Sequence, residues 1–454
     1  MTIWANTPLP DRIAFVARFR RAIIAAEHEL CELVRGEVHK SRFEALTTDV
    51  VPLVAACKWL ERNATRLLAP AVAGSSPFWM PGVRIKRFRA PVGRVAIIAT
   101  WNYPLQLLGI ELVQALIAGN TVVVKPSERS PASQLKLLQL AQSAGLPDET
   151  LTWTDADRNA GATLLAAERF DHVIFTGSTE VGRSIASTLA SHLTPCTLEL
   201  SGRDSAIVLD DGDPVLAAKS IWSAVTLNAG QSCIAPRRAL VHDAVYEPFV
   251  AALTQLAKEA TQRTLIDAAA ADHCYNLVVA AIAAGGRDAA AGNQAPEATA
   301  PPPKPAGSTW RPTAVIDCPP TAALVEGRHF GPALAVVRVK RTEEAIAIHQ
   351  ACDQHLATSV FTATPSRVRR MAADLRATSL TVNDCIIPTA HPAVGIGGHG
   401  ASGFGLSRGG EGLLSLTRPV YISVSNGLIR RSLKPPREFM VNLLAKGLRF
   451  VYGR

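Results

Sequence analysis

The sequence predicts an α/β fold in which helices cover both faces of a parallel sheet. Three observations carry that expectation. Short apolar runs alternate with stretches of helical period from residue 94 onward. The same rhythm resumes at residues 333–339 and 343–352, late in the chain. The 48% apolar content, spread over 454 residues, can fill cores for two or three domains of ordinary size.

Taken in order, apolar residues between Glu27 and Arg66 recur at helical spacing, and residues 83–88 largely alternate like a strand. A helical N-terminal region therefore leads into a hairpin at 83–94. Strand 94–100, helix 105–118, strand 121–125, helix 131–144 and strand 172–176 follow, with a helix from Thr179. After Glu199 come a strand at 205–209 and helices around 216–228, where a second α/β domain begins. Residues 288–308 are rich in Ala, Pro and Gly and bury too little apolar surface to order themselves, so an exposed, partly disordered insertion is expected. Residues 419–425 alternate as a late strand. In the tail, Phe439, Met440, Leu443, Leu444, Leu448 and Val451 recur at helical spacing beside Arg437, Lys446 and Arg449. This is a short basic amphipathic helix, suited either to packing on the subunit or its dimer partner or to lying on a membrane surface.

Composition narrows the function classes. Runs such as 92–100 and 105–118 are interrupted well before the roughly 20 apolar residues a bilayer span needs, so no transmembrane helix is expected. The N-terminus carries Asp11, Arg12, Arg18, Arg20 and Arg21 in helix-like sequence without a secretory core, which makes the cytoplasm the default compartment. Eight scattered cysteines form no CxxC pair and no zinc spacing, so reduced thiols and no metal are expected. Residues 430–454 hold seven Arg or Lys against Glu438 alone, which accounts for most of the net charge of +9. The charge belongs to the tail, and no nucleic-acid partner is expected.

Four segments carry chemistry. NAGQSCIAPR at 228–237 puts Cys233 in a small polar loop where a thiol can be reached, although a lone cysteine is more often a packing residue. TLELSG at 197–202 ends an apolar strand with Glu199, either a surface-facing strand residue or a desolvated carboxylate suited to general-base work. ATWNYP at 99–104 places Asn102 after a strand, where its amide either caps a loop or holds a developing oxyanion. FTGSTEVG at 175–182 runs from strand through a small-residue turn into a helix whose free N–H groups favour a phosphate.

These segments, with KPSE at 125–128, HFGP at 329–332 and GGHGASGFG at 397–405, resemble in order and spacing the aldehyde dehydrogenase superfamily. The resemblance is nearest to its class 3 branch of fatty and aromatic aldehyde dehydrogenases and runs from about residue 91 to residue 424. It implies an N-terminal helical region at 1–82 belonging to the cofactor domain, a Rossmann-like cofactor domain at 83–204, a catalytic α/β domain at 205–410, an oligomerisation strand at 411–425 and the tail at 426–454. It implies Cys233 as nucleophile, Asn102 with the Cys233 backbone N–H as oxyanion hole, and Glu199 as general base. Thr100, Trp101, Lys125, Glu128, Gly177, Ser178, Gly182, Leu200 and Phe330 become the cofactor-binding residues. The implied activity is NAD(P)-dependent oxidation of an apolar aldehyde to a carboxylic acid, by a homodimer. A carboxylate at Glu128 near the 2′ position favours NAD over NADP, though similar family members use both.

The sequence also departs from the family pattern. Arg328 stands where the family carries a Glu for the nicotinamide ribose, and a cation cannot accept hydrogen bonds from ribose hydroxyls. Ser201 and Arg203 alter the LELGGK block, and Ile396 replaces the Phe before the late glycine pair. Two other readings stay open: a member with a structural or ligand-binding role, and an acylating enzyme that passes the thioester to coenzyme A. Glu199 speaks for water as the acceptor.

Overall fold

The computed structural model describes residues 3–291, 300–426 and 436–453. Two largely parallel sheets organise it, as the alternating pattern requires. In spatial order the first runs Gly403–Phe404, Cys196–Leu200, His172–Gly177, Arg94–Ile98, Thr121–Lys125 and Leu151–Trp153. All its ladders are parallel except the one made by Gly403–Phe404. The chain starts at the central strand Arg94–Ile98, moves outward through two strands, then crosses back to the other side. That reversal leaves a crevice beyond the carboxyl ends of Arg94–Ile98 and His172–Gly177, where open α/β sheets bind ligands.

The second sheet has seven strands in the order Arg287–Asp288, Thr313–Ile316, Ala333–Val339, Arg238–His242, Ser205–Val208, Ala357–Phe361 and Ser379–Val382. Val83–Pro91 does not fold back into the hairpin expected to end at residue 94. It pairs antiparallel with Ala71–Val72 on one side and with Thr417–Ser425 on the other, Val83 opposite Ser425 through Pro91 opposite Thr417. Alternation specifies a strand but not its partners, and here the longer partner lies more than 300 residues away.

The helix Gln106–Ala118 is buried along its whole length, between the first sheet and the N-terminal helices Leu9–Ala25 and Val51–Leu68. Such a helix is apolar all round, so its buried Gln106, Glu111 and Gln114 stand out. It begins two residues after Pro104, and Asp49 supplies its cap: Asp49 Oδ1 accepts from the N–H groups of Leu105 at 3.1 Å and Gln106 at 3.4 Å. Asp49 lies in a π-helical turn, Leu46–Val50, and is itself neutralised by the buried Lys40 at 2.5 Å.

Two expected boundaries shift. Gly403–Phe404 joins the first sheet, and Leu413 of the helix Gly409–Ser415 packs in the same core as the Gln106 helix, so the chain re-enters the half built on the first sheet before residue 410. The start of the 288–308 stretch is packed rather than exposed, whereas residues 300–308 are mostly exposed, as expected. Asp288 is buried in an ion pair with Arg311 at 2.6 Å, and Ala289 is fully buried. Residues 292–299 of that stretch, and residues 427–435 of the tail, lie outside the described residues. Beyond them the helix Glu438–Tyr452 buries none of its side chains, and Tyr452 meets the ring of Phe78 at 5.9 Å. Among the described residues no helix is long and apolar enough to cross a membrane.

Candidate active site

Of the eight cysteines, only Cys196 and Cys233 are half-buried rather than fully buried. Cys233 follows a turn in which Asn228, Ala229 and Gly230 all have positive φ, at 49°, 52° and 71°. Only glycine fits the last position, since a Cβ there would strike the Gly331 carbonyl group. The strained turn is tied down by the buried Arg237. Its Nη1 donates to the carbonyls of Gly230 at 2.8 Å and Gly331 at 3.2 Å, and its Nη2 to Ser232 at 2.6 Å. One side chain thus binds the cysteine loop to the Phe330–Pro332 segment. Gly202 lies against the same loop, and a Cβ on it would strike the Cys233 carbonyl.

Asn102 reaches this loop from the first sheet. Its Nδ2 donates to the Gln231 carbonyl at 3.0 Å, while Asn228 Nδ2 donates back to the Asn102 carbonyl at 2.9 Å. Asn102 Nδ2 carries a second hydrogen, and the residue lines a cavity together with Cys233 and Glu199. Glu199 ends the strand Cys196–Leu200 and is 2% exposed. Ser407 donates to its Oε1. Gly403 sits opposite Glu199 in the antiparallel ladder, and its φ of 100° lets the two strands close without a side chain striking the Leu198 carbonyl. Burial pushes the Glu199 carboxyl above its ordinary value, against the pull of Arg408 and the Ser407 hydrogen bond. Burial, and next the Glu199 charge, push the Cys233 thiol up to about 12, against Arg408 and Arg237. A carboxyl so raised, beside a thiol that can be reached, is suited to general-base work.

A cavity of about 500 Å³ occupies the crevice at the sheet reversal. Lys125 and Glu128 close one end with an ion pair at 2.9 Å. Burial raises the Glu128 carboxyl, but the Lys125 hydrogen bond and charge outweigh it and hold it below the usual range. Thr100, Trp101, Gly177 and Ser178 line both this cavity and a second one of about 240 Å³, which also contains Leu200, Phe330, Asn102, Glu199 and Cys233. Ser178 caps the helix Thr179–Ala190 by accepting from the Val181 N–H. Gly182 does not line the cleft: a Cβ on it would strike Leu200 at 2.5 Å, so it is a close-packing residue between helix and strand. Gln134 holds the mouth in shape, with Nε2 donating to the Thr100 carbonyl at 2.7 Å and Oε1 accepting from the Ser127 N–H at 2.7 Å. Hydroxyl-binding groups at one end, a helix start midway and a thiol at the far end fit a dinucleotide laid along the cleft.

The sequence profile of the Aldehyde dehydrogenase family matches residues 1–422. The chain belongs to the aldehyde dehydrogenase family. Among its relatives, 4,4'-diapolycopene aldehyde oxidase of Methylomonas is 30% identical, over 99% of this chain and 85% of that protein. Aldehyde dehydrogenase family 3 member A2 of Mus musculus is 29% identical, over 89% and 82%. Among solved structures, the aldehyde dehydrogenase of Mycobacterium tuberculosis complexed with NAD+ gives a TM-score of 0.84 at 26% identity, covering 94% of this chain and 86% of that one. The E. coli NADP-dependent enzyme gives 0.84 at 25% identity, covering 93% and 87%. The protein is accordingly an oxidoreductase acting on the aldehyde group.

On the other side of Cys233 this aldehyde dehydrogenase has a smaller cavity, of about 130 Å³, that the cofactor cleft does not share. Its walls are mainly apolar, with Tyr103, Leu107, Leu227, Ile234, Ile387 and Ile396 among them, and Glu199 and Arg408 are its charged members. Ile396, at the position of the usual Phe, is one wall of it. Sequence reasoning missed several groups of this site. Ser407 and Arg408 follow the GGHGASGFG block after one intervening residue, Leu406, but belong to no motif read from it. Gln114 holds that segment, accepting from the Arg408 N–H at 3.2 Å and donating to the Gly409 carbonyl at 2.8 Å. Glu111, one turn earlier, accepts from Thr176 Oγ1 at 3.4 Å, and Thr176 is the strand neighbour of Glu199. A polar residue in an otherwise apolar helix is the signal that could have found both. Ser201 lies in the cofactor-side cavity, and Arg203 turns away to Asp353 at 2.8 Å and Gln354 at 3.1 Å.

Proposed function

We propose that the protein oxidises an apolar aldehyde, fatty or aromatic, to its carboxylic acid through a covalent adduct on Cys233, with NAD as oxidant and NADP as an alternative. The observation that carries this reading is the position of Cys233 in the wall between two cavities. One is small and apolar, and the other continues into a cleft fitted to a dinucleotide.

The Cys233 thiol gives up its proton to solvent, and the sulfur adds to the aldehyde carbon. Asn102 Nδ2 and the Cys233 backbone N–H hold the resulting alkoxide. The dinucleotide, when bound, supplies the acceptor for the hydride leaving that carbon. The thioester left on Cys233 is hydrolysed by a water whose proton passes to Glu199, and the thiolate departs. Lys125 and Glu128 hold the adenosine ribose, while Thr100, Trp101, Gly177, Ser178, Leu200 and Phe330 frame the rest of the cofactor. Gly182 sets the approach of the Thr179 helix. The relative from Methylomonas named for a diapolycopene aldehyde, together with the apolar cavity, supports an apolar substrate.

The test is NAD reduction across a panel of aliphatic and aromatic aldehydes. Cys233→Ala abolishes it, and Glu199→Gln retains one fast turnover per subunit but loses steady turnover by ~10²–10⁴-fold, as for loss of a general base. Activity fails on the acid side, above the ordinary carboxylate range, because Glu199 is raised. Reduction of NAD by Cys233→Ala, or acyl-coenzyme A as the product, would sink the reading.

The same reading makes the protein a cytoplasmic homodimer. Ile422 and Val424 lie exposed on one face of the Thr417–Ser425 strand and Tyr421 on the other, an apolar edge that suits a partner copy. The basic helix Glu438–Tyr452, with its exposed apolar side chains, suits peripheral contact with an anionic membrane, where an apolar aldehyde would be met.

A further inference from the structure

We propose that Arg328 is a ligand for the cofactor's phosphates, and that Glu180 occupies its place in the free protein by presenting a carboxylate where a phosphate oxygen would lie. The inference rests on the dinucleotide reading above and concerns how this chain compensates for the missing ribose-binding glutamate.

Arg328 Nη1 lies 2.7 Å from Glu180 Oε1. The two residues come from opposite sides of the cleft. Glu180 is in the first turn of the helix Thr179–Ala190, which begins directly after Gly177 and Ser178 of the cofactor cavity. Arg328 stands two residues before Phe330, which lines the cavity of Cys233. Glu180 does more than meet Arg328. Its carboxylate accepts from its own backbone N–H at the helix start, and that contact first, with Arg328 behind it, holds the carboxyl below the usual range despite some burial. A negative group therefore already sits at the positive end of this helix, bridged to a guanidinium from across the cleft. An oxygen of a pyrophosphate satisfies the same donors.

The surroundings make the exchange feasible. The side chains of Arg328 and Glu180 are 42% and 68% exposed, so their pair is of the weakly held, solvent-screened kind. Arg328 is anchored on its other side: Asp353 lies 3.8 Å from Nη2, and the same Asp353 holds Arg203 at 2.8 Å. Its backbone carbonyl is also tied, 2.6 Å from His273 Nε2. When Glu180 swings into solvent, Arg328 is held by Asp353 and by its own backbone, and its Nη1 is left free beside the start of the Thr179–Ala190 helix. A guanidinium cannot accept from ribose hydroxyls, yet its planar fork matches phosphate oxygens. Arg328 thus holds the cofactor at the pyrophosphate, where a glutamate would have held it at the ribose.

The pair makes opposite predictions for its two members. Calorimetric titration of the full chain with NAD, with ADP-ribose and with adenosine, without any aldehyde, reads both. Arg328→Gln weakens NAD and ADP-ribose about tenfold, as expected for removing one charge-assisted hydrogen bond, and leaves adenosine unchanged. Arg328→Lys recovers part of the affinity. Glu180→Gln tightens NAD and ADP-ribose severalfold, because the competing carboxylate is gone. Raising the salt concentration weakens ADP-ribose binding less in Arg328→Gln than in the unaltered protein. Wild-type affinity for NAD in Arg328→Gln overturns the inference, as does an equal loss for adenosine or a weakening by Glu180→Gln. Failure of the unaltered protein to bind NAD, NADP or ADP-ribose overturns the dinucleotide reading itself, and this inference with it.

Discussion

Cys233 and Glu199 in the site, and the nearby Asp204, are ionisable groups taken out of water, and Asp204 has the simplest surroundings. Its Oδ1 accepts from the N–H groups of Leu356 at 3.0 Å and Ala357 at 2.9 Å, so it pins the start of the Ala357–Phe361 strand. Its Oδ2 is buried with no hydrogen-bond partner. Burial pushes the carboxyl up to about 7, against those two backbone contacts and the charges of Arg237 and Arg238. A group whose folded pKa lies above its unfolded value binds its proton more tightly when folded. Its contribution to stability is therefore complete below about 3.8 and is lost as the pH rises through about 7, by up to ~4 kcal/mol. Asp204→Asn keeps the Oδ1 acceptor and removes the titration. We expect urea unfolding of the unaltered protein to show this fall in stability between about pH 4 and pH 7, and Asp204→Asn to show it much reduced. Parallel pH profiles for the two proteins would mean that Asp204 stays charged in the fold.

The element that matters most is the turn at residues 228–233, which bears the proposed nucleophile and is held by a side chain outside it. Arg237 reaches three carbonyls on two segments, a geometry that needs a fork of donors at fixed angles. Lysine offers one short-range ammonium and cannot bridge them. Arg237→Lys is expected to cost about 2–4 kcal/mol in denaturant unfolding, the range for breaking a buried charged network, and to lower turnover with it. An unchanged midpoint would show that the turn holds itself. This element also shows what the sequence makes legible. The block NAGQSCIAPR marks Cys233 plainly, and the strands at 121–125 and 333–339 fall where their apolar runs place them, because period and composition are local properties. Ser407, Arg408 and Glu111 were not legible, since each comes to Glu199 by tertiary packing of a segment whose own pattern speaks only of a loop or a buried helix. The pairing of Val83–Pro91 with Thr417–Ser425 was hidden for the same reason.

At the scale of the whole molecule, the two sheets enclose the chemistry while the apolar surface collects elsewhere. Phe439, Met440, Leu443, Leu444, Leu448 and Phe450 of the C-terminal helix are each more than half exposed, as is Trp79 in the loop against which that helix rests. Apolar side chains in this number cost free energy in water unless something covers them. The helix carries Arg437, Lys446 and Arg449 against Glu438. Each basic group near an anionic bilayer contributes about 1 kcal/mol, and the apolar face adds the free energy of its burial among acyl chains. A chain truncated after residue 435 should therefore lose on the order of 10²-fold in partitioning onto phosphatidylserine vesicles, read by sedimentation. It should keep its turnover of a short, water-soluble aldehyde, because the catalytic cavities draw no residue from the tail. Binding of the full chain should weaken as salt is raised and be slight on uncharged vesicles. If truncation left partitioning unchanged and instead split the protein into monomers, the helix would be covering a second copy of the chain and the membrane reading would fall.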